Sequence, residues 1–296
     1  MTGRDFGLLC LVCCVWGVNI VITRFVVAEV PPLFYACLRF ALIAAILLPV
    51  LWPPPKQFGL VVVAGLGVGA LNFVFLFTAL ATGTASSVAV ALQLGLPFTT
   101  VLSMLFLGET VGWRRGLGMA LAFSGVMVLA YDPHKFGLSL GVVFGAMAAL
   151  VGSIGGIVMK RMNEVATFKL QAWVAMVSWP VILPMTLLVE DNQWQAAVAM
   201  GWPFWAALAF SVGLVSIFGH AMFYRLLRRY EATLISPLTL MTPIWAMALG
   251  VMILNEPLSL QLAAGAALAL AGVAMIAVRP NARLPDMAAV WRRWQP

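Results

Sequence analysis

Residues 58–80 read FGLVVVAGLGVGALNFVFLFTAL and contain no charged side chain. An α-helix rises about 1.5 Å per residue, so roughly 20 apolar residues cross a hydrocarbon core about 30 Å thick. This stretch is therefore long enough and apolar enough to form a transmembrane helix. Further stretches share its length and apolar character, and we predict ten spans in total: 6–28, 33–52, 58–80, 84–107, 113–131, 136–158, 168–189, 203–226, 232–254 and 260–278.

The composition of the whole chain agrees with a membrane protein. Hydrophobic residues make up 63% of the chain and charged residues 9%, whereas about a quarter of the residues in a soluble domain are charged. The net charge of +7 would suit a nucleic-acid partner, but the basic residues lie in short loops and form no long run. We therefore predict an all-α integral membrane protein whose partners are a small-molecule substrate and the lipid bilayer, with no nucleic acid.

The cysteines form no recognisable disulfide or metal pattern. Cys10, Cys13, Cys14 and Cys37 all fall inside apolar segments, where a thiol behaves as a small hydrophobic group. Cys10 and Cys13 form a CxxC, but the chain has no second pair to complete a zinc site. We expect no metal site and no cofactor.

The distribution of basic residues predicts on which side of the membrane each loop lies. Cytoplasmic loops carry an excess of Lys and Arg. With a cytoplasmic N-terminus, the outer loops contain only Lys135, and the inner side contains fourteen basic residues: Arg4, Lys56, Arg114, Arg115, Lys160, Arg161, Lys169, Arg225, Arg228, Arg229, Arg279, Arg283, Arg292 and Arg293. We predict that both termini are cytoplasmic, in agreement with an even number of spans.

The two halves of the chain resemble each other. A shift of 147 residues superposes several positions: Leu107-Gly108-Glu109 on Leu254-Asn255-Glu256, Gly118 on Gly265, Gly125 on Gly272 and Ala130 on Ala277. The start of each half needs a shift nearer 137, which places Arg24 on Arg161. We predict a first repeat over 1–131, a second over 136–278 and a cytoplasmic tail over 279–296.

Each predicted repeat has five spans, and this odd number has a topological consequence. The two repeats must enter the membrane from opposite sides, so we predict two inverted five-helix repeats. Inverted repeats are typical of secondary transporters, in which the substrate binds at the repeat interface near the middle of the bilayer. One chain already contains both repeats, so we expect a monomer.

Several short motifs resemble a known family. They are Trp16-Gly17 followed by Arg24, Pro32 with Arg39, the stretch 81–109 ending in Leu-Gly-Glu, and its counterpart over 232–256. Together they resemble the drug/metabolite transporter superfamily and, within it, the ten-helix EamA family. The resemblance implies a multi-pass protein of the bacterial inner membrane that exports or exchanges small metabolites. Amino-acid exporters, including the aromatic amino-acid type, are among the characterised members. The family pattern is imperfect, because Pro97 and Pro243 are displaced by one position between the repeats.

Polar residues at helical spacing predict which helix faces line a cavity, because polar groups in lipid need a partner or water. The candidate substrate-binding residues are Trp16, Asn19, Asn72, Phe73, Phe77, Gln93, Pro97, Ser153, His220, Tyr224, Thr239 and Thr242. Neutral amides, hydroxyls and aromatic faces suit a neutral or zwitterionic solute with an apolar side chain, such as an amino acid. In the alternative interpretation, the polar side chains only hydrogen-bond neighbouring helices.

The few charged groups inside the spans limit the energy source. The acidic residues lie near span ends or in loops, and His220 is the only mid-span group that titrates near neutral pH. No GxxxxGK[ST] motif occurs, so we expect no use of ATP. Arg39 either binds a carboxylate, locks its helix, or extends its charge to the membrane surface or to Glu29.

The sequence leaves three candidate functions open. We favour a carrier that moves its solute by alternating access, and the first alternative is a proton-coupled efflux carrier for drugs or cations. The second alternative is a structural or signalling membrane protein without transport activity. An enzyme is not expected, because no mid-span acid accompanies the histidines, so we predict no catalytic residues.

Overall fold

The computed structural model describes residues 1–107, 112–132, 137–160, 162, 165–230, 235 and 238–277. Most of these residues are helical. The helices are α1 (Gly3–Val26), α2 (Pro32–Ile46), α3 (Phe58–Thr82), α4 (85–107), α5 (Trp113–Ala130), α6 (Leu140–Lys160), α7 (Thr167–Val189), α8 (Gln193–Met200), α9 (202–229), α10 (Met241–Leu254) and α11 (Leu260–Ala277). A 3-10 turn at Leu48–Val50 follows α2. The tail over 279–296, His134, Lys135, Arg161, Glu109 and the start of the predicted ninth span lie outside the described residues.

Seven of the described helices are long and apolar enough to cross a membrane, as judged by length and composition. They are Gly3–Val26, Phe58–Thr82, Ala85–Phe106, Leu140–Met159, Thr167–Val189, Trp202–Phe223 and Leu260–Ala277. Pro32–Ile46 and Met241–Leu254 are shorter apolar helices. The chain is thus a multi-pass membrane protein, while the count of ten crossings and the location of the termini stay predictions.

A pair of two-residue strands departs from the all-helical expectation. Tyr131–Asp132 (β1) pairs antiparallel with Gly137–Leu138 (β2), and the backbone N–H of Ser139 donates to the carbonyl of Ala130 at 2.6 Å. The predicted span 136–158 therefore begins later, at Leu140. This pairing gives backbone polar groups of the four strand residues hydrogen-bond partners.

Proline accounts for the interruption of α4. This element consists of Ala85–Ala91, a 3-10 turn at Leu92–Leu94, and Gly95–Leu107. Pro97 has no N–H and cannot bond to the carbonyl of Gln93 four residues earlier. The helix tightens at that point and then continues.

Two helices contain a π-helical segment in their middle. Gly65–Leu71 lies within α3, and Ser211–Gly219 lies within α9 between Trp202–Phe210 and His220–Arg229. The shift of 147 residues that relates the two halves of the sequence also relates these segments to within a residue or two. π-Helical segments are rare and occur frequently at functional sites.

Glycines allow α5 and α11 to touch backbone to backbone. A Cβ atom on Gly118 would lie 2.8 Å from the carbonyl oxygen of Gly272, and a Cβ on Gly125 would lie 2.6 Å from the carbonyl oxygen of Gly265. The helices thus cross antiparallel, with the first glycine of one helix against the second glycine of the other. This arrangement supports a local two-fold relation between the predicted repeats.

Two carboxylates cap the N-termini of membrane helices. Glu190 accepts hydrogen bonds from the backbone N–H groups of Leu33 at 2.8 Å and Phe34 at 2.9 Å. Glu256, which is buried, accepts from the backbone of Ala85 at 2.5 Å and Ser86 at 3.0 Å, and also from the Ser86 hydroxyl. The helix dipole and the unpaired N–H groups favour negative charge at these positions, so α2 and α4 are anchored to distant segments of the chain.

Candidate functional site

A hydrogen-bonded centre joins α1, α2 and the π segment of α9. The hydroxyl of Ser211 donates to Oδ1 of Asn19 at 2.6 Å, and the hydroxyl of Tyr35 lies 3.0 Å from that of Ser211. Tyr35 and Ser211 are fully buried. A polar group from the first half of the chain therefore meets one from the second half in the interior of the helix bundle.

Arg39 lies one helical turn beyond Tyr35 on α2 and is 2% exposed. Its Nη2 donates to the hydroxyl of Ser216 at 3.0 Å, and Ser216 in turn donates to the carbonyl of Ser211 at 2.9 Å. The Cζ atom of Arg39 lies 5.0 Å from the centroid of the Phe73 ring. Arg39 therefore does not extend to the membrane surface, and the alternative of pairing with Glu29 is not observed.

Aromatic rings form one wall beside these polar groups. Phe77 stacks on Tyr35 with ring centroids 5.5 Å apart, and Phe73 lies 5.6 Å from Phe77. Phe40 meets Phe73 edge to face at 4.8 Å. The predicted residues Phe73 and Phe77 are thus brought together with Asn19 around Arg39.

A second group of rings lies where α1 faces α9. Trp16 lies 5.4 Å from His220 and 5.1 Å from Phe223, measured between ring centroids. Gly219 makes room for the indole, since a Cβ there would lie 2.9 Å from Nε1 of Trp16. Nδ1 of His220 lies 3.1 Å from the carbonyl oxygen of Ser216. Ser216 therefore links the Trp16 and His220 pair to Arg39.

We call the hydrogen-bonded residues of these contacts, together with the rings of Trp16, Phe73 and Phe77, the central cluster. It contains the predicted residues Trp16, Asn19, Phe73, Phe77 and His220, and in addition Tyr35, Arg39, Gln171, Ser211 and Ser216. Gln171 belongs to it because its Nε2 donates to the carbonyl of Ser216 at 2.6 Å. The cluster offers one cation, neutral hydrogen-bonding groups and aromatic faces.

Two further predicted site residues, Asn72 and Ser153, donate hydrogen bonds to backbone carbonyls of neighbouring helices. Nδ2 of Asn72 donates to the carbonyl of Ala148 at 2.6 Å. The hydroxyl of Ser153 donates to the carbonyls of Ala149 at 2.7 Å and Gly95 at 2.9 Å. These contacts fit the alternative interpretation, in which intramembrane polar groups bond adjacent helices.

The remaining predicted residues lie on α4, on α9 and near the start of α10. Gln93 is half-buried in the 3-10 turn of α4, and Pro97 causes that turn. Thr239 and Thr242 lie near the start of α10, where the carbonyl of Thr242 approaches Gly17 of α1. The side chain of Tyr224 lies outside the described residues.

Tyr35, Gln171 and Ser211 are members of the cluster that the spacing argument missed. Ser211 and Ser216 are five residues apart, and their hydrogen bond spans the π segment. A search for spacings of three, four and seven residues does not detect such a pair. No group of three or more His, Cys, Asp or Glu side chains able to hold a metal ion occurs in the described part of the chain.

Most of the chain is similar to proteins described as transporters. The EamA-like transporter family matches residues 6–131 and again residues 139–278, so the chain belongs to this family and the family prediction is confirmed. A probable amino-acid metabolite efflux pump of Salmonella typhimurium is 29% identical over 283 residues, covering 92% of this chain and 94% of that protein. A protein of Escherichia coli with the same description is 28% identical, with the same coverage.

A solved structure shows that the fold itself is known. A chain described as "Crystal structure of protein" superposes with a TM-score of 0.65 and 20% sequence identity, covering 93% of this chain and 96% of that chain. At this identity the likeness concerns the fold alone. Together with the family match, these similarities define the protein as a membrane transporter.

Proposed function

We propose that this transporter exports or exchanges small neutral or zwitterionic metabolites, with amino acids that have apolar or aromatic side chains as its main substrates. It works by alternating access, without ATP, in the bacterial inner membrane. Two inverted five-helix repeats, with ten crossings and both termini in the cytoplasm, form a monomeric carrier. The description of two relatives as probable amino-acid metabolite efflux pumps supports this substrate class.

The observation that carries the proposal is the composition of the central cluster. Helices α1, α2 and α3 of the first half contribute Asn19, Arg39 and Phe73, while α9 of the second half contributes Ser216 and His220. A site built from both halves is exposed to alternate sides when the halves exchange conformations. Its neutral donors and acceptors suit an amino acid, and its rings suit an apolar side chain.

The alternative of cation efflux is less compatible with the charges of the cluster. Arg39 places a positive charge there, and no carboxylate pairs with it among the residues that the structure describes. A cationic solute would be repelled in an interior where charges are weakly screened. The amino-acid carrier and the proton-coupled efflux carrier differ in one further respect, because only the second requires a proton to be carried, for which His220 is the candidate group.

Transport by purified protein in liposomes tests the proposal. We expect preloaded unlabelled L-phenylalanine or L-leucine to drive saturable uptake of the same radiolabelled amino acid, without any proton or sodium gradient. An absolute requirement for a proton gradient would favour the efflux alternative. Absence of flux for every amino acid tried would contradict the substrate class.

A further inference from the structure

The guanidinium group of Arg39 is buried with most of its hydrogen-bonding capacity unused. Arg presents five N–H donors, and the contact with Ser216 uses one of them. Within the described part of the chain, the buried atoms Nε and Nη1 have no hydrogen-bond partner. A buried charge without compensation is costly, and charged side chains inside a membrane are retained for function.

The chain contains an internal comparison for this position. Ser178 on α7 packs against the π segment of α3 beside Gly69, as Arg39 on α2 packs against the π segment of α9 beside Ser216. Gly69 and Ser216 are 147 residues apart, which is the shift that relates the repeats. Ser178 donates to the carbonyls of Val174 at 2.6 Å and Gly65 at 3.4 Å. At the α7–α3 interface, the neutral side chain of Ser178 therefore takes this position. The packing of a helix against a π segment does not by itself require a charged residue such as Arg39.

The ion pairing among the described residues does not satisfy this charge either. In the described ranges, the one ion pair joins Arg229 and Asp5 at 3.2 Å, close to the N-terminus of α1. Glu190 and Glu256 are engaged by the N-termini of α2 and α4. A negative group that neutralises the charge of Arg39 must therefore come from outside the described part of the chain.

The surroundings of Arg39 define the chemistry of that group. The planar guanidinium fork matches a carboxylate and binds it through two parallel hydrogen bonds. Phe73 lies against the guanidinium, and Phe77 and Tyr35 continue the aromatic wall. One cation beside rings fits a monocarboxylate with an apolar body.

We propose that Arg39 is the carboxylate-binding residue of this transporter and that it selects substrates with a free carboxylate over their amides and amines. This inference rests on the proposed function and names the group that decides its substrate class. Nη2 of Arg39 is held by the Ser216 hydroxyl, and Gln171 in turn donates to the backbone carbonyl of Ser216. The guanidinium is covered in the present arrangement, so a carboxylate reaches it when the helices around the cluster separate.

Paired ligands test the inference on the full-length protein. We would titrate the detergent-solubilised wild type with three acid and amide pairs and follow thermal stabilisation: L-phenylalanine and its amide, L-leucine and its amide, and 3-phenylpropanoate and its amide. Charge-assisted hydrogen bonds predict about tenfold or greater preference for the acid. If no acid binds more tightly than its amide, the assignment of Arg39 is wrong.

Variants then connect the preference to the residue. Arg39→Gln should reduce the acid-to-amide ratio to about one, while Arg39→Lys, which keeps the charge without the fork, should retain a ratio between the two. Arg24→Gln is the matched control, because Arg24 lies in the last turn of α1 and is not part of the cluster, and the ratio of this variant should equal that of the wild type. An unchanged ratio in Arg39→Gln would overturn the inference. The wild-type titration decides the matter if that variant does not fold.

Liposome transport separates this inference from the proposed function. Amino-acid flux with no acid preference would leave the carrier intact and remove the role of Arg39. An Arg39-dependent acid preference without amino-acid flux would support the role of Arg39 and contradict the proposed substrate. Absence of both amino-acid flux and an acid preference would contradict both the proposed function and the role of Arg39.

Discussion

The α2–α9 and α3–α7 interfaces repeat one packing arrangement with different chemistry. In both, a helix packs against the π segment of another helix. The first carries Tyr35, Arg39, Ser211 and Ser216, whereas the second is closed by Ser178 against Gly65 and Gly69. The small residues of the α3–α7 interface are sufficient for this packing. We therefore attribute the polar side chains of the α2–α9 interface to substrate binding.

The interfaces of α6 with α3 and of α1 with α9 differ in a similar way. Gly67 and Gly155 bring α3 and α6 into backbone contact, whereas Trp16 and His220 separate α1 from α9 by aromatic rings. Both halves of the chain thus provide similar helix packing, but the polar and aromatic side chains of the central cluster lie at the interfaces of α9. The predictions that follow test this difference, from the largest expected effect to the smallest.

Leucine at Gly67 should have the largest effect. A Cβ there would lie 2.7 Å from Cα of Gly155, and a backbone atom cannot move aside as a side chain can. Overpacking of this kind costs about 1–3 kcal/mol or more, so we expect loss of the monodisperse peak in size-exclusion chromatography. Gly213→Leu is the control, because nothing lies within 4 Å of a Cβ at Gly213 in the other π segment. Equal behaviour of the two variants would contradict the proposed contrast.

Removal of the Trp16 ring should reduce binding without loss of folding. Trp16→Ala removes the contacts with His220 and Phe223, and we expect about tenfold weaker binding of L-phenylalanine in a thermal titration. Trp113→Ala provides the comparison, because the Trp113 side chain is 78% exposed and lies outside the central cluster. A similar loss of affinity in both variants would argue against a specific role for Trp16.

Serine to alanine changes at the two π interfaces should have unequal effects. Ser216→Ala removes the partner that orients Arg39, and we expect affinity for carboxylates to fall about threefold to tenfold. Ser178→Ala should change it by less than about twofold, because its hydroxyl only bonds helix carbonyls. If Ser178→Ala has the stronger effect on affinity, the two interfaces have been assigned the wrong roles.

The smallest effect is expected at Asn72. Its amide bonds the carbonyl of Ala148, so Asn72→Ala should lower the free energy of unfolding by about 0.6 kcal/mol and leave the acid-to-amide ratio unchanged. Asn19→Ala, at the hydrogen bond with Ser211 inside the cluster, should instead alter affinity. Thermal unfolding and ligand titration of both variants distinguish stabilisation from binding. A changed acid-to-amide ratio in Asn72→Ala would indicate that Asn72 belongs to the binding site.

The sequence alone predicted much of the fold. Apolar length indicated helices that can span the membrane. Gly118, Gly125, Gly265 and Gly272 indicated that the two halves correspond, but the contact between the helices that carry them is seen only in the structure. Pro97, which has no backbone N–H, lies next to the break in α4. Membrane spans and proline-dependent breaks are accessible from the sequence because bilayer thickness and the missing proline N–H act locally.

The site was less predictable, because a polar side chain has the same sequence signature whether it binds solute or a neighbouring helix. Asn19 and Asn72 both met the spacing criterion, yet one joins the central cluster and the other bonds a helix carbonyl. Tyr35 and Ser211 depend on a π segment, which changes the facing residues without changing hydropathy. Only the packed structure distinguishes these cases.

Labelling of single cysteines from each side of the membrane tests the central claim, that two inverted halves enclose one site. In a variant without the four native cysteines, we would place one cysteine at Thr2, at Leu138 or at Gln295. Thr2 and Leu138 stand near the start of the two repeats. Inversion predicts that Thr2→Cys and Gln295→Cys react from the cytoplasmic side and Leu138→Cys from the outer side. Reaction of Thr2→Cys and Leu138→Cys from the same side would contradict the account.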